Sequence, residues 1–67
     1  MRITKSMTAG DLNGSIVNYI EGSLDSTETK PSENIADGSI LVESDTGKVY
    51  FFNEKSATWV EQFSFQG

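Results

Sequence analysis

The feature that most constrains this chain is an apolar run directly after a tight turn. Residues 43–52 read ESDTGKVYFF, and every position from Val49 to Phe52 is apolar. Successive side chains of a strand point to opposite faces, so this strand presents apolar groups on both of its faces. A solvated hairpin needs only one apolar face. The second face therefore needs a cover, and we expect neighbouring subunits to provide it.

The turn in that stretch is Asp45-Thr46-Gly47, which connects SILVES to KVYFFN. This order of residues suits a type I turn closed by a glycine in the left-handed conformation. We predict Asp45 and Gly47 as turn-forming residues in a three-residue hairpin loop. Such a loop fixes the predicted register of the two strands: Ser44 opposite Lys48, Glu43 opposite Val49, Val42 opposite Tyr50, Leu41 opposite Phe51 and Ile40 opposite Phe52.

A second polar connection, NEKSAT, leads to a third strand with the sequence WVEQFSF. Strand alternation places Trp59, Phe63 and Phe65 on one face together with Glu61. The chain is therefore predicted to be mostly β, with a small antiparallel meander or hairpin domain over about residues 39–65, within a carboxy-terminal unit of residues 39–67. We predict that five aromatic side chains anchor its core or contact a partner: Tyr50, Phe52, Trp59, Phe63 and Phe65.

Residues 1–38 are predicted to form an extended N-terminal arm and a linker. Between residues 21 and 39 the only large apolar residues are Leu24 and Ile35, and the same segment holds the single proline of the chain. A structureless loop of this length is unusual inside a compact domain. We therefore expect it to be extended and to lie along the surface of a partner.

The segment before the linker, LNGSIVNYIEGSL, fits two structures. Two glycines fall inside it, and each would cost about 1 kcal/mol in a helix interior. The stretch SIVNYIE is rich in β-branched and aromatic residues between glycine-containing turns, so we favour a strand over residues 15–21. The alternative is a helix, because apolar residues recur every four positions along one helical face: Leu12, Ile16, Ile20 and Leu24.

The chain has few means of stabilising itself alone. It has 67 residues, of which 36% are hydrophobic, and it contains neither cysteine nor histidine. Chains of this size usually gain stability from disulfides, a bound metal or oligomerisation. Disulfides and thiolate or imidazole zinc sites are excluded here. We therefore expect a homo-oligomer, or docking on a larger protein.

The acidic balance excludes several classes of partner. The net charge is −5 and the sequence pI is ≈ 4.3. Nucleic acid phosphates and anionic membrane surfaces would repel such a chain, so we expect neither as a partner. The longest apolar runs fall far short of the ~20 residues of a membrane span, and the first residues lack the apolar core of a signal peptide. We expect a soluble protein that is made in the cytoplasm.

The sequence offers little for catalysis. Without histidine or cysteine the usual general base and the best nucleophile are missing, so we expect no enzyme and predict no catalytic or cofactor-binding residue. The carboxylates of Glu43, Asp45 and Glu54 lack the spacing of a calcium loop and suit turn chemistry better, so we predict no metal site. Aromatic rings such as Trp59 could stack on sugars, but a place in a core or an interface is the simpler role.

The run from Ser26 to Gln62 resembles a group of small proteins encoded by tailed bacteriophages and prophages. Their recurring pattern is a Thr-Lys-Pro linker, Gly-Ser, an apolar strand with glutamate, Asp-Thr-Gly-Lys, an aromatic strand and a tryptophan. Asn53 stands where that group often has aspartate, and the first 25 residues carry no resemblance. The matching positions here are Thr29-Lys30-Pro31, Gly38-Ser39, Glu43, Asp45 to Lys48, Tyr50, Phe52 and Trp59.

The resemblance implies a structural protein of a bacteriophage virion. It implies a capsid decoration or head-stabilising component whose partner is the major capsid protein, another virion protein or a further copy of itself. Two alternatives remain open, namely a receptor- or glycan-binding module on the virion and a neck or tail fitting. The number of copies per particle separates a decoration protein from a fitting.

Overall fold

The computed structural model describes residues 1–10 and 13–64, in which five β-strands form one sheet. The strands follow one another across the sheet in chain order. The described residues contain no helix, so the predicted mostly β fold is confirmed. The strands are β1 (Arg2–Gly10), β2 (Ile16–Leu24), β3 (Ile40–Glu43), β4 (Lys48–Asn53) and β5 (Thr58–Ser64).

β1 and β2 form a hairpin within this sheet, where the sequence suggested an arm with one possible strand. The strand predicted over residues 15–21 corresponds to β2. β1 pairs with it antiparallel from Arg2 to Gly10. The sequence of β1, RITKSMTAG, shows little apolar alternation, and eight of its nine residues are exposed. Such a strand is held by its backbone hydrogen bonds rather than by a hydrophobic pattern, which explains why the sequence RITKSMT left a short strand and an arm both open.

Gly22 lets β1 approach β2 closely. The register between the two strands shifts between Ile3 and Lys5, beside this glycine. A Cβ at residue 22 would overlap the carbonyl oxygen of Arg2. The glycine that argues against a helix in the sequence therefore has a packing role within the sheet.

β2 and β3 run parallel, and residues 25–39 form the connection between them, which we call the crossover segment. The backbone of Asn18 in β2 pairs with this segment in a parallel β-bridge to Ile35. Its N donates to Asn34 O at 2.7 Å, and its O accepts from Ala36 N at 2.8 Å. Ile35 between them is 8% exposed. The segment packs on the sheet of its own chain, where the sequence alone suggested the surface of a partner.

The hydrophobic core lies between the sheet and the crossover segment. Side chains of β2, β3 and β4 point toward the covered side of the sheet, which we call the inner face, and Ile35 packs on them. Leu41, in the central strand, is fully buried. The core consists of Ile20, Leu24, Ile35, Leu41 and Phe52, with Trp59 packed against it.

The β3–β4 hairpin is shifted by one residue from the predicted register. Its loop holds residues 44–47, and Gly47 N donates to Glu43 O at 2.7 Å. The predicted register is wrong because Ser44 belongs to the loop. Gly47 has a φ of 76°, so its left-handed conformation is confirmed. The observed pairs are Ile40 with Phe51, Leu41 with Tyr50 and Val42 with Val49.

A second irregularity lies between β4 and β5. Val49 pairs with Phe63, but the next residue of β4, Tyr50, pairs with Glu61. β5 therefore holds one extra residue at this point, which is the pattern of a β-bulge. A bulge changes the face to which the residues beyond it point.

The bulge divides the aromatic residues of β5 between the two faces of the sheet. Trp59 pairs with Phe52 on the inner face, whereas Phe63 pairs with Val49 on the opposite face. The prediction that Trp59 and Phe63 share one face is therefore wrong. Phe65 lies outside the described residues.

We expect Gly47→Val to destabilise the hairpin, because a β-branched residue is strained at a φ of 76°. Backbone strain of this kind costs on the order of 1–3 kcal/mol. Gly47→Asn is the matched control, since asparagine tolerates the left-handed conformation. Urea unfolding followed by tryptophan fluorescence should rank the wild type first, the Asn variant second and the Val variant last. A Val variant with an unchanged midpoint would refute the turn assignment.

Candidate functional site

A buried ion pair on the inner face holds the crossover segment on the sheet. Glu43 is 5% exposed, and its Oε2 accepts a hydrogen bond from Lys30 Nζ at 2.7 Å. Its Oε1 accepts from Thr46 Oγ1, also at 2.7 Å. The Lys30 ammonium lies 4.1 Å from the ring centroid of Tyr50, a cation–π contact. The hydrogen bond from Lys30, followed by the bond from Thr46, lowers the pKa of the Glu43 carboxyl below its ordinary value.

Trp59 fastens the same segment at a second point. Its indole Nε1 donates to the backbone oxygen of Pro31 at 2.7 Å. Its ring meets Phe52 edge-on, with centroids 5.1 Å apart and an interplanar angle of 65°. Both the polar and the apolar parts of this side chain are therefore engaged within the chain, which leaves it poorly placed as a platform for sugars.

Ser39, directly before β3, provides a third attachment between the crossover segment and the sheet. It is fully buried, and its Oγ donates to Ala36 O at 2.9 Å and accepts from Ile20 N at 3.1 Å. Its backbone O accepts from Phe52 N at 2.9 Å, while the neighbouring Gly38 N donates to Phe52 O at 3.0 Å. The buried hydroxyl thus satisfies backbone groups where the parallel pair begins.

The residues that carry the phage-protein resemblance coincide with these attachments. Thr46, Lys30 and Glu43 form the ion-pair cluster, Pro31 bonds to Trp59, and Gly38-Ser39 joins β4. In this chain these positions therefore hold the crossover segment on the inner face, and they do not by themselves identify a binding site.

The acidic turns at one end of the sheet are satisfied internally. Asp45 accepts hydrogen bonds from the hydroxyl and the backbone N of Ser26, and the hydroxyl bond is the main cause that lowers the pKa of Asp45. The pKa of Asp25 is lowered chiefly by the hydroxyl of Thr27. Asp45 thus connects its hairpin loop to the crossover segment. Among the residues that the structure describes, no group of three carboxylates is placed to hold a metal ion.

The opposite side of the sheet, the outer face, carries apolar residues on β3, β4 and β5. Three large ones on β4 and β5 are clearly exposed, at 38% for Phe51, 42% for Val60 and 50% for Phe63. We call these three the β4–β5 ridge. Strand pairing connects them to the neighbouring strand through Phe51 and Ile40. The apolar residues of β3, β4 and β5 on the outer face are Ile40, Val42, Val49, Phe51, Val60 and Phe63, of which Val49 is 4% exposed.

The other half of the outer face contains an open depression of about 430 Å³. Met7 pairs with Tyr19 and Lys5 pairs with Glu21, and Glu21 pairs in turn with Ile40 of the outer face. The depression therefore opens on the same side of the sheet as the ridge. We call it the β1–β2 depression, and it is lined by Lys5, Met7, Ala9, Gly10, Tyr19, Ala36, Asp37 and Glu54.

The structure separates the five predicted contact residues. Phe52 lies in the core, Trp59 packs against it, and Tyr50 is half-buried beside Lys30. Of the described members of the set, Phe63 is the one on the outer face, and Phe65 lies outside the described residues. Their role in contacting a partner remains a prediction.

Sequence reasoning did not select Phe51 and Val60, although both are exposed on the outer face. The signal was present in the unbroken apolar run from Val49 to Phe52, which requires two apolar faces. The wrong hairpin register and the unforeseen bulge prevented an assignment of residues to each face.

Over the described residues, the fold and these surfaces define a small all-β protein whose sheet is covered on its inner face by the crossover segment and exposes the β4–β5 ridge on its outer face. Comparisons with protein-family models, curated proteins and solved structures found no match. Within the described ranges no helix has the length and apolarity needed to cross a membrane.

Acid is expected to destabilise the fold through the carboxylates whose pKa is lowered. The unfolded value for Glu43 is about 4.5 and the folded value lies below it, so its stabilising contribution is complete above pH 4.5. The contribution is lost as the pH falls through the lower folded value. Asp25 and Asp45 act in the same direction. Urea midpoints measured between pH 7 and pH 2.5 should stay level and then fall below pH 4.5.

Glu43→Gln should lower the midpoint at pH 7 and make its fall in acid shallower, so that the two curves converge. The reason is that hydrogen bonds to charged groups contribute about 1.5–3 kcal/mol each. Glu33→Gln, at an exposed position of the crossover segment, is the matched control. Equal pH profiles for wild type and Glu43→Gln would contradict a stabilising role for the Lys30–Glu43 pair.

Proposed function

We propose that this chain is a non-catalytic structural component of a tailed-phage particle, in the role of capsid decoration or head stabilisation. It binds the major capsid protein, another virion protein or a further copy of itself through the outer face. The observation that carries this proposal is the exposed β4–β5 ridge beside the half-buried apolar residues of β3. The resemblance to phage proteins supplies the setting.

The exposed ridge supports binding because soluble monomers rarely leave large contiguous apolar patches in water. The chain already uses its own crossover segment to cover the inner face. On the outer face, Phe51, Val60 and Phe63 are each more than a third exposed. A protein surface is the natural cover, since aromatic residues dominate the energetics of protein interfaces.

The charge of the chain supports a protein partner over the other classes. Its net charge of −5 repels phosphates, so a nucleic acid partner and an anionic membrane are disfavoured. A glycan-binding role would rely on exposed aromatic platforms, and the tryptophan is bonded to Pro31 and packed on Phe52. The geometry therefore favours assembly over sugar recognition. A neck or tail fitting would use the same face in far fewer copies.

Incorporation into particles tests this function. An epitope-tagged chain should be found in purified phage particles by quantitative mass spectrometry, at hundreds of copies for a decoration protein and a dozen or fewer for a fitting. Val60→Lys should reduce incorporation at least tenfold, because it places a charge in the middle of the ridge. Ile16→Lys is the matched control, since Ile16 is 76% exposed and its side chain is on the inner side of β2, away from the ridge. Absence of the wild-type chain from the particles would overturn the proposal.

A further inference from the structure

We propose that the outer face binds a second copy of this chain across a two-fold axis. In this arrangement the β4–β5 ridge of each copy enters the β1–β2 depression of the other. The inference rests on the proposed function only in taking the outer face as the binding surface. It deepens that function by naming the partner of the face.

The ridge and the depression both lie on the outer face of the sheet. A single row of paired residues crosses the whole sheet, from Val60 through Phe51, Ile40 and Glu21 to Lys5. The ridge therefore stands at the β5 side and the depression at the β1 side of the same surface. A two-fold axis near β3, parallel to the strands and lying in the plane between the two faces, brings each feature of one copy onto the other feature of its partner. Such self-complementary pairing is the requirement of an isologous dimer.

The depression matches the side chains of the ridge in size and in chemistry. The depression has a volume of about 430 Å³, within the range of pockets that bind small molecules, so it has room for an aromatic side chain. Its walls include the apolar groups of Met7, Ala9 and Ala36, together with the ring of Tyr19. The tyrosine hydroxyl donates to the Glu21 carboxylate at 2.6 Å, which leaves the polar end of this side chain satisfied.

Charge is distributed unevenly between the ridge and the rim of the depression. The three ridge residues are uncharged, while Lys5, Asp37 and Glu54 lie around the depression and carry both signs. The two-fold arrangement places each charged rim beside an uncharged ridge. Each rim holds one ammonium and two carboxylates, a net charge of −1, so stacking depression on depression would instead bring two net negative rims together. Electrostatics therefore favours the ridge-into-depression arrangement between two identical acidic chains.

The outer face is large enough for two copies to bury the area that a specific interface needs. Five strands spaced about 4.8 Å apart span roughly 24 Å, and six residues of strand span about 20 Å. One face therefore covers roughly 500 Å², and two faces in full contact bury about 1,000 Å². This is the lower limit for a specific interface, so we expect a dimer that dissociates on dilution.

Sedimentation velocity of the purified chain over a wide concentration range tests the arrangement. The expected result is a monomer at low micromolar concentration that converts to a closed species of twice the mass, without larger species. A mass that remains that of the monomer up to millimolar concentration would overturn the inference. Continued growth into larger species would also overturn it, because an open head-to-tail contact does not close.

Two complementary variants identify the contact. Val60→Lys alters the ridge and Met7→Glu alters the depression, and each alone should weaken self-association at least tenfold. Mixing them should restore a heterodimer, since one of its two contacts is native and the other opposes the introduced lysine with the introduced glutamate. Ile16→Lys should dimerise like the wild type. A mixture that stays monomeric, or single variants that associate normally, would refute the contact.

Folding and particle binding are checked separately. The circular dichroism spectra and urea midpoints of the variants should match those of the wild type. If Val60→Lys lowers the midpoint, Phe63→Ser takes its place as the ridge variant. Failure of dimerisation with Val60-dependent incorporation into particles would reject the second copy and retain the proposed function. A dimer that is absent from particles would retain the second copy and reject the proposed function.

Discussion

The fold depends on keeping the crossover segment against the inner face of the sheet. The Lys30–Glu43 pair is central to this, because both oxygens of a 5% exposed carboxylate are satisfied there by one ammonium and one hydroxyl. Removal of one partner from a buried pair leaves an uncompensated charge, which is far more costly than the pair itself is favourable. Without this attachment, the core residues beneath the segment would lose their cover, and one sheet of five strands would have two bare faces.

The sequence revealed the strands and the turn better than the way they combine. The alternating and consecutive apolar residues of β3 and β4, and Gly47 between them, are local signals, and the structure contains both strands and the left-handed glycine. The register was missed because a loop of three residues and one of four have nearly the same composition. Lys30 and Glu43 are separated by many residues along the chain, so no local pattern connects them, and the crossover segment therefore looked like a free linker.

The candidate surface was predictable in kind but not in its members. Two apolar faces followed directly from the run between Val49 and Phe52, and the described part of β4 and β5 exposes the large apolar side chains of the ridge on the outer face. The assignment of Trp59 and Phe63 to one face failed because a bulge is invisible in composition. The positions that carry the phage-protein resemblance lie largely in the crossover segment, its attachments and the hairpin turn.

The parallel pairing of β2 with β3 has a kinetic consequence. The hairpins β1–β2, β3–β4 and β4–β5 join strands adjacent in the chain, and each can form by closing a short loop. The parallel pair instead requires closure of the whole crossover segment before its contacts are gained, and loop closure of this length carries an entropic cost. We expect the two halves of the sheet to organise rapidly and separately, with their union as the slow step. During that interval the facing edges of β2 and β3 are open to pairing with other molecules, so the union of these two strands is the step at which misassociation is most easily started.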